Sequence, residues 1–226
     1  MVTTEELNMI FSKIGNDFHF TEVSAEFAPY RDLKVRWVRS RDCANFTVSD
    51  YLQEAPDEVI EGIAKAIMSR IRGEGETGYP EETTAWLTSS EFRELNQDAY
   101  IERSRSIGEM DTDECDRLWE SYDRLVDSGL ISRMDRVKLF WSKSDSVAKA
   151  GQSSCLMRVV IMNRRLLDPK VPTEVLDYCL LHELANISVG FGFENLERNR
   201  MVNEISNEYL GAATAKQWLD QVMMEV

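Results

Sequence analysis

The residues best suited to chemistry lie in one short run, Leu181-His182-Glu183-Leu184-Ala185-Asn186. His182 and Asn186 are four apart, which puts both side chains on one face of a helix. Two imidazoles at that spacing hold a zinc ion, and a glutamate beside the first polarises the metal-bound water. Asn186 stands where the second imidazole belongs. A catalytic zinc keeps three protein ligands and one open position. The chain has only two histidines, His19 and His182, so one copy cannot supply three imidazoles. An amide oxygen is a hard, neutral donor that zinc rarely selects. Two substitutes exist. Cys179 lies three residues before His182, but inside Tyr178-Cys179-Leu180-Leu181 it reads as a packed thiol. His19 alternates with Phe18 and Phe20 and reads as the solvent side of a strand, or its end. Glu183 sits in an apolar run and is costly to bury alone, so a cavity or a polar network is expected around it.

The elements that must position these residues recur. "PDEVIEGIAKAIMSRI" (56–71) and "PTEVLDYCLLHELANI" (172–187) align without a gap. Each opens with a proline and early acids, which suit a helix start. Upstream, "LKVRWVRS" and "ANFTVSDYL" match "VKLFWSKS" and "LMRVVIMNRRLL", with Trp37 set against Trp141. Their period-2 patterning predicts strands. A strand–strand–helix unit used twice is therefore expected. Ala66 aligns with His182 and Arg70 with Asn186, so metal chemistry is confined to the second copy.

Between the copies, "RGEGETGYPEE" (72–82) reads as a loop. The stretch 89–131 reads as helical, with starts at Ser90 and at Thr112-Asp113-Glu114, a stop at Gly129, and Leu118, Tyr122 and Leu125 on one face. Gly190 and Gly192 break the helix that carries His182. The segment from Arg198 reads as helical to the end, with Met201, Ile205, Tyr209 and Leu210 as an apolar stripe. The expected fold class is α+β. Residues 1–80 form an N-terminal half, 81–131 a helical insertion, and 132–226 a second half, all compatible with one continuous domain.

The chain of 226 residues carries a formal charge of -14. Such a surface repels phosphate backbones, so nucleic-acid binding is not expected. The cations of "RDLKVRWVRSRD" (31–42) read as the solvent face of a strand. No apolar run reaches the ~20 residues of a membrane span. The N-terminus lacks a basic start followed by an apolar core, so no signal peptide is read and a cytoplasmic location is expected. Cys43, Cys115, Cys155 and Cys179 form no close pair and read as reduced, mostly buried thiols.

"VLDYCLLHELANISVGF" (175–191) resembles the active-site helix of zincin metallopeptidases, usually written VLDYVVxHELAH. The preceding strand, the proline opening and the glycine turn are similar too. The resemblance covers about residues 155 to 215 and points to small cytosolic zincins of the SprT-like and YgjP-like kind and to minigluzincins. It implies that Glu204, in "NEISNEYLG", is the third metal ligand beside His182 and the Asn186 position. It implies that Glu208 hydrogen-bonds a ring nitrogen of His182, and that Glu183 is the catalytic base. Because Asn186 departs from the pattern, zinc is expected to bind weakly or not at all. The leading expectation is a metallopeptidase-like protein without hydrolysis. It would bind a peptide or partner protein by strand addition near "LMRVVIMN" (156–163). The alternative is a zinc-dependent metallopeptidase with an atypical ligand set, in which Glu183 takes a proton from the attacking water. A purely structural role, with the acid and histidine in a polar network, is the third reading.

Overall fold

Thr3 and Glu6 set the start of the first helix, α1 (Thr4–Asp17). The Glu6 N–H donates to the Thr3 hydroxyl at 3.2 Å, and the Thr3 N–H donates to the Glu6 carboxylate at 2.8 Å. Two donors that a helix start leaves unpaired are thereby satisfied. A computed structural model of the chain describes residues 1–75, 78–109, 116–144, 149–192 and 195–224. The fold is α+β, and the chain divides into two compact units, Met1–Arg103 and Ser104–Val226.

In the first unit α1 is followed by β1 (Glu22–Ala28), β2 (Val35–Ser40) and β3 (Cys43–Ser49). Their spatial order is β1-β3-β2, with β1 parallel and β2 antiparallel to β3. A 3₁₀ turn (Asp50–Leu52) leads to α2 (Asp57–Arg72), then α3 (Glu81–Leu87) and α4 (Ser90–Ser104). Phe11 of α1 meets Phe46 of β3 with ring centres 5.0 Å apart, inside the core. The same helix covers the open side of β1. Ser12 donates to the Val23 carbonyl, and the Ala25 N–H donates to the Asn8 side chain, each at 3.0 Å. Strand edges need such cover if they are not to pair elsewhere.

The second unit contains β4 (Gly108–Glu109), α5 (Asp116–Asp127), β5 (Lys138–Ser142), β6 (Gly151–Ser154) and β7 (Val159–Met162). A 3₁₀ turn (Arg164–Leu167) precedes α6 (Thr173–Val189), α7 (Asn195–Asn207) and α8 (Ala212–Met224). The sheet order is β4-β5-β7-β6, with β5 parallel and β6 antiparallel to β7.

The two units repeat one plan. β1, β2, β3 and α2 begin at 22, 35, 43 and 57; β5, β6, β7 and α6 begin at 138, 151, 159 and 173, each 116 residues later. The parallel register is shared, Glu22 opposite Cys43 and Lys138 opposite Val159. Pro56 and Pro172 cap the paired helices and accept from the N–H groups of Val59 and Val175, both at 3.0 Å. Glu61 of α2 pairs with Lys13 of α1, as Asp177 of α6 pairs with Arg124 of α5.

This plan corrects several readings. The repeated unit has three strands rather than two. β2 corresponds to β6, and β5 to β1, so Trp37 and Trp141 are not equivalent. Trp141 is fully buried, whereas Trp37 is 47% exposed on an edge strand. Of the stretch read as an insertion, α3 and most of α4 lie in the first unit and α5 in the second. The helix start at Thr112-Asp113-Glu114 and Cys115 lie outside the described residues. The C-terminal run is two helices rather than one, because Gly211 closes against Tyr209 and Glu174, where a Cβ would come within 2.7 Å of the Tyr209 ring. Leu210 is therefore fully exposed instead of belonging to an apolar stripe. Cys43 is exposed, Cys155 is half-buried and Cys179 is buried.

These positions separate the tryptophans energetically. Trp141→Ala should destabilise the protein by about 3–5 kcal/mol, the cost of a large core deletion. Trp37→Ala should cost about 1 kcal/mol or less. Urea unfolding of both variants checks this; equal losses would contradict the strand assignment.

Candidate functional site

Helix α6 is apolar on most of its circumference, and residues from Val175 to Leu181 are buried without interruption. Gly190, at φ 86°, ends it in a conformation that side chains with a Cβ avoid. Two carboxylates and an imidazole interrupt its apolar surface: Asp177, His182 and Glu183. Asp177 is buried and accepts from Ser121 at 2.6 Å, from Arg124 through two nitrogens at 2.6 and 3.0 Å, and from the Tyr209 hydroxyl at 3.4 Å. Burial pushes the Tyr209 phenol up to about 12, with the Asp177 charge adding to it.

His182 faces α7. Its Nδ1 lies 3.3 Å from Ser206 Oγ, and Ser206 donates its own proton to the Val202 carbonyl at 2.8 Å. With that proton committed, Oγ acts as the acceptor and Nδ1 as the donor. The Asn186 side chain is tied to its own helix through its NH2 group. This NH2 donates back to the His182 carbonyl at 3.1 Å, and the Asn186 backbone carbonyl accepts from Arg198 at 3.1 Å. Glu204 is 66% exposed and 3.6 Å from Arg200 on its own helix. Ser206 is two residues further on, about 200° around a helix of 3.6 residues per turn. The face of α7 that meets His182 is thus not the face that carries Glu204. Glu208 lies beyond the last residue of α7, exposed, so it does not share a helix face with Glu204.

Glu183 has a partner that sequence reasoning did not name. Ser153 of edge strand β6 donates to its carboxylate at 2.6 Å. Gly151 of the same strand makes room for this contact, since a Cβ there would stand 3.0 Å from Glu183 Cγ and 2.8 Å from Met162 Sδ. Burial pushes the Glu183 carboxyl above its ordinary range; the Ser153 bond and the His182 and Lys149 charges pull the other way. Burial, with the Glu183 charge beside it, also pushes the Cys179 thiol up to about 12, which disfavours the thiolate that would bind metal. His19 is not on a strand. It sits exposed in the turn after α1, at φ 60°.

The site is therefore a polar seam along α6 rather than a convergent ligand set. Among the described residues, no group of three or more His, Cys, Asp and Glu stands where it could hold a metal ion. The donor set as placed does not fit zinc: one imidazole, an amide folded back on its own helix, a carboxylate turned to solvent and a thiol held protonated. Ser153, Ser206 and Arg198 were not legible beforehand, because serines and arginines at those positions carry no spacing signal. Asp177 was read only as an early acid suited to a helix start, although the cost of burying a carboxylate applies to it as to Glu183. No family model, curated protein or solved structure matches this chain.

The Glu183 environment predicts a pH dependence. An acid whose pKa rises on folding keeps its proton longer in the native state, so its contribution favours folding at acid pH. That contribution is lost as pH rises from the unfolded value through the folded one. Glu183→Gln removes the ionisation. Its unfolding midpoint should exceed wild type at pH 7 and converge on it toward pH 4, measured by thermal unfolding across that range.

Proposed function

We propose that this chain is a zincin-like, non-catalytic binding protein that takes an extended peptide, or a strand of a partner protein, along the outer edge of β6. The observation that carries the reading is the backbone phase of that strand. The Asn163 N–H donates to the Ala150 carbonyl at 2.8 Å, so by the antiparallel alternation Gln152 and Ser154 bond inward to β7. The N–H and C=O groups of Gly151 and Ser153 then point away from the sheet. The segment 156–163 first singled out for docking contains β7, which lies inside the sheet between β5 and β6. The edge next to α6 is β6 itself. Strand addition uses such main-chain groups for affinity and neighbouring pockets for specificity.

The Ser153–Glu183 bond supports the same reading. It ties the edge strand to the helix that, in the resembling family, carries the chemistry. Glu183 thereby serves as an acceptor that holds β6 in place. The uncharged sequence Gly151-Gln152-Ser153-Ser154 suits a neutral extended segment. A shallow cleft of about 200 Å³, lined by residues that include Gln152, Ile161 and Asn163, lies along the same sheet and would accept a side chain.

Two measurements test this. In the free protein the amides of Gly151 and Ser153 should exchange with solvent quickly and those of Gln152 and Ser154 slowly. A peptide selected for binding should protect the first pair. Zinc titration should give no tight one-to-one binding, and Asn186→His alone should not create it, because Glu204 stays on the far side of α7. Stoichiometric zinc that resists chelators, with peptide hydrolysis abolished by Glu183→Gln, would overturn the reading in favour of a zinc-dependent metallopeptidase.

A further inference from the structure

The other edge strand, β2, differs from β6 in its chemistry. Residues 36 to 43 are all exposed, and Val38 is 74% exposed beside Trp37. The Ser49 N–H donates to the Lys34 carbonyl at 3.0 Å, which fixes the phase: Arg36, Val38 and Ser40 bond inward to β3. The backbone groups of Val35, Trp37 and Arg39 therefore point outward, at the positions equivalent to Gly151, Ser153 and Cys155.

Around this edge stand five cations and two acids, Arg31, Lys34, Arg36, Arg39 and Arg41 against Asp32 and Asp42. Both acids are already engaged, Asp32 with Arg31 at 2.9 Å and Asp42 with Arg72 at 3.4 Å. Among the described residues, Lys34, Arg36, Arg39 and Arg41 have no carboxylate partner. Lys34 and Arg36 rest against the Tyr30 ring, and Arg39 donates to the Ile71 carbonyl. In a chain with 40 acidic and 26 basic residues, a cluster of cations without carboxylates is a local reversal of sign.

Cations on an edge strand commonly serve to prevent pairing. They do so here against a second copy of β2, since like charges would face each other. Protection alone does not account for a half-exposed tryptophan and a mostly exposed valine on the same six residues. Each face of the strand pairs one cation with exposed apolar surface: Arg36 with Val38 on one, Arg39 with Trp37 and the half-buried Val35 on the other. We infer that β2 is a second docking edge, which accepts an acidic extended segment of another protein by strand addition, with acids set against Arg36 and Arg39 and apolar residues against Val38 and Trp37. This is independent of the reading given for β6. Opposite charges steer the encounter and set register, while main-chain bonds hold the strand.

The test is fluorescence anisotropy on the full chain with a labelled peptide of about eight residues, alternating glutamate with valine or threonine, a typical strand length. Saturable binding should weaken as salt is raised. Arg36→Glu with Arg41→Glu should weaken it roughly tenfold or more. The charge-matched pair Lys170→Glu with Arg200→Glu should leave it unchanged. Methylating alternate backbone nitrogens of the peptide should weaken binding to wild type in one of the two registers, which attraction between charges alone would not produce. The inference falls if the peptide does not bind, if both variant pairs lose affinity equally, or if neither methylated peptide is weakened. It also falls if a single-stranded oligonucleotide of equal charge binds as tightly, for then the patch reads phosphate.

Discussion

A helix buried over most of its surface leaves little solvent for its polar side chains, with Asp177 buried and His182 and Glu183 only part-exposed, and that constraint on α6 organises the second unit. Asp177, His182 and Glu183 must each be met from another element. Ser121 and Arg124 of α5 meet the first, Ser206 of α7 the second and Ser153 of β6 the third. Tyr209, from the turn between α7 and α8, reaches back to Asp177. These contacts fix where α5 lies, which face α7 presents and how β6 is held. Apolar packing alone would tolerate sliding that hydrogen bonds between named atoms do not.

The first unit shows the same plan without that constraint. Ala66, Ile67 and Arg70 of α2 occupy the positions of His182, Glu183 and Asn186. Two of the three are apolar, so no polar seam has to be satisfied there. What persists is the acid nearer the helix start. Glu61 and Asp177 are 116 residues apart, and each pairs with a cation on the helix that precedes its three repeated strands. The Lys13–Glu61 pair is exposed on the lysine side and screened; the Asp177 carboxylate is buried and bonded by four donor atoms. The two units thus share one element order and differ in what their central helices and edge strands carry: a polar seam behind a neutral edge in one, an apolar helix behind a basic edge in the other.

Several helices were legible because their signals are local, although α1 was not read and α7 and α8 were read as one. Proline with early acids opened α2 and α6, a glycine closed each, and the face of Leu118, Tyr122 and Leu125 is buried as its spacing required. β2, β3, β5 and β7 showed in their patterning. β6 did not, since Gly-Gln-Ser-Ser has no apolar alternation, and β1 was hidden by acids and alanines. With those two missing, β2 was matched to β5 and the tryptophans were paired wrongly. The need of Glu183 for a partner was legible from the cost of burying a carboxylate. The identity of that partner was not, because Ser153 is 30 residues away and serine carries no signature.

The phase of α7 shows why motif spacing could not settle the site. Asn203-Glu204 followed by Glu208 has the spacing of a ligand helix, yet spacing fixes only which residues share a face, not which face turns inward. That choice belongs to Val202 and Ser206, both buried, which lie four apart on the side toward α6. Turning Glu204 toward His182 would require roughly half a rotation of α7. It would expose Val202, take Ser206 from the imidazole and bring a carboxylate into an apolar surround with a single ring to meet it. Burial of an apolar side chain and the cost of an unpaired acid both oppose the rotation. With a neutral amide at Asn186 in place of a second imidazole, no metal ligand pair on α6 offsets them. The histidine is held by a serine because packing selects the face on which that serine lies.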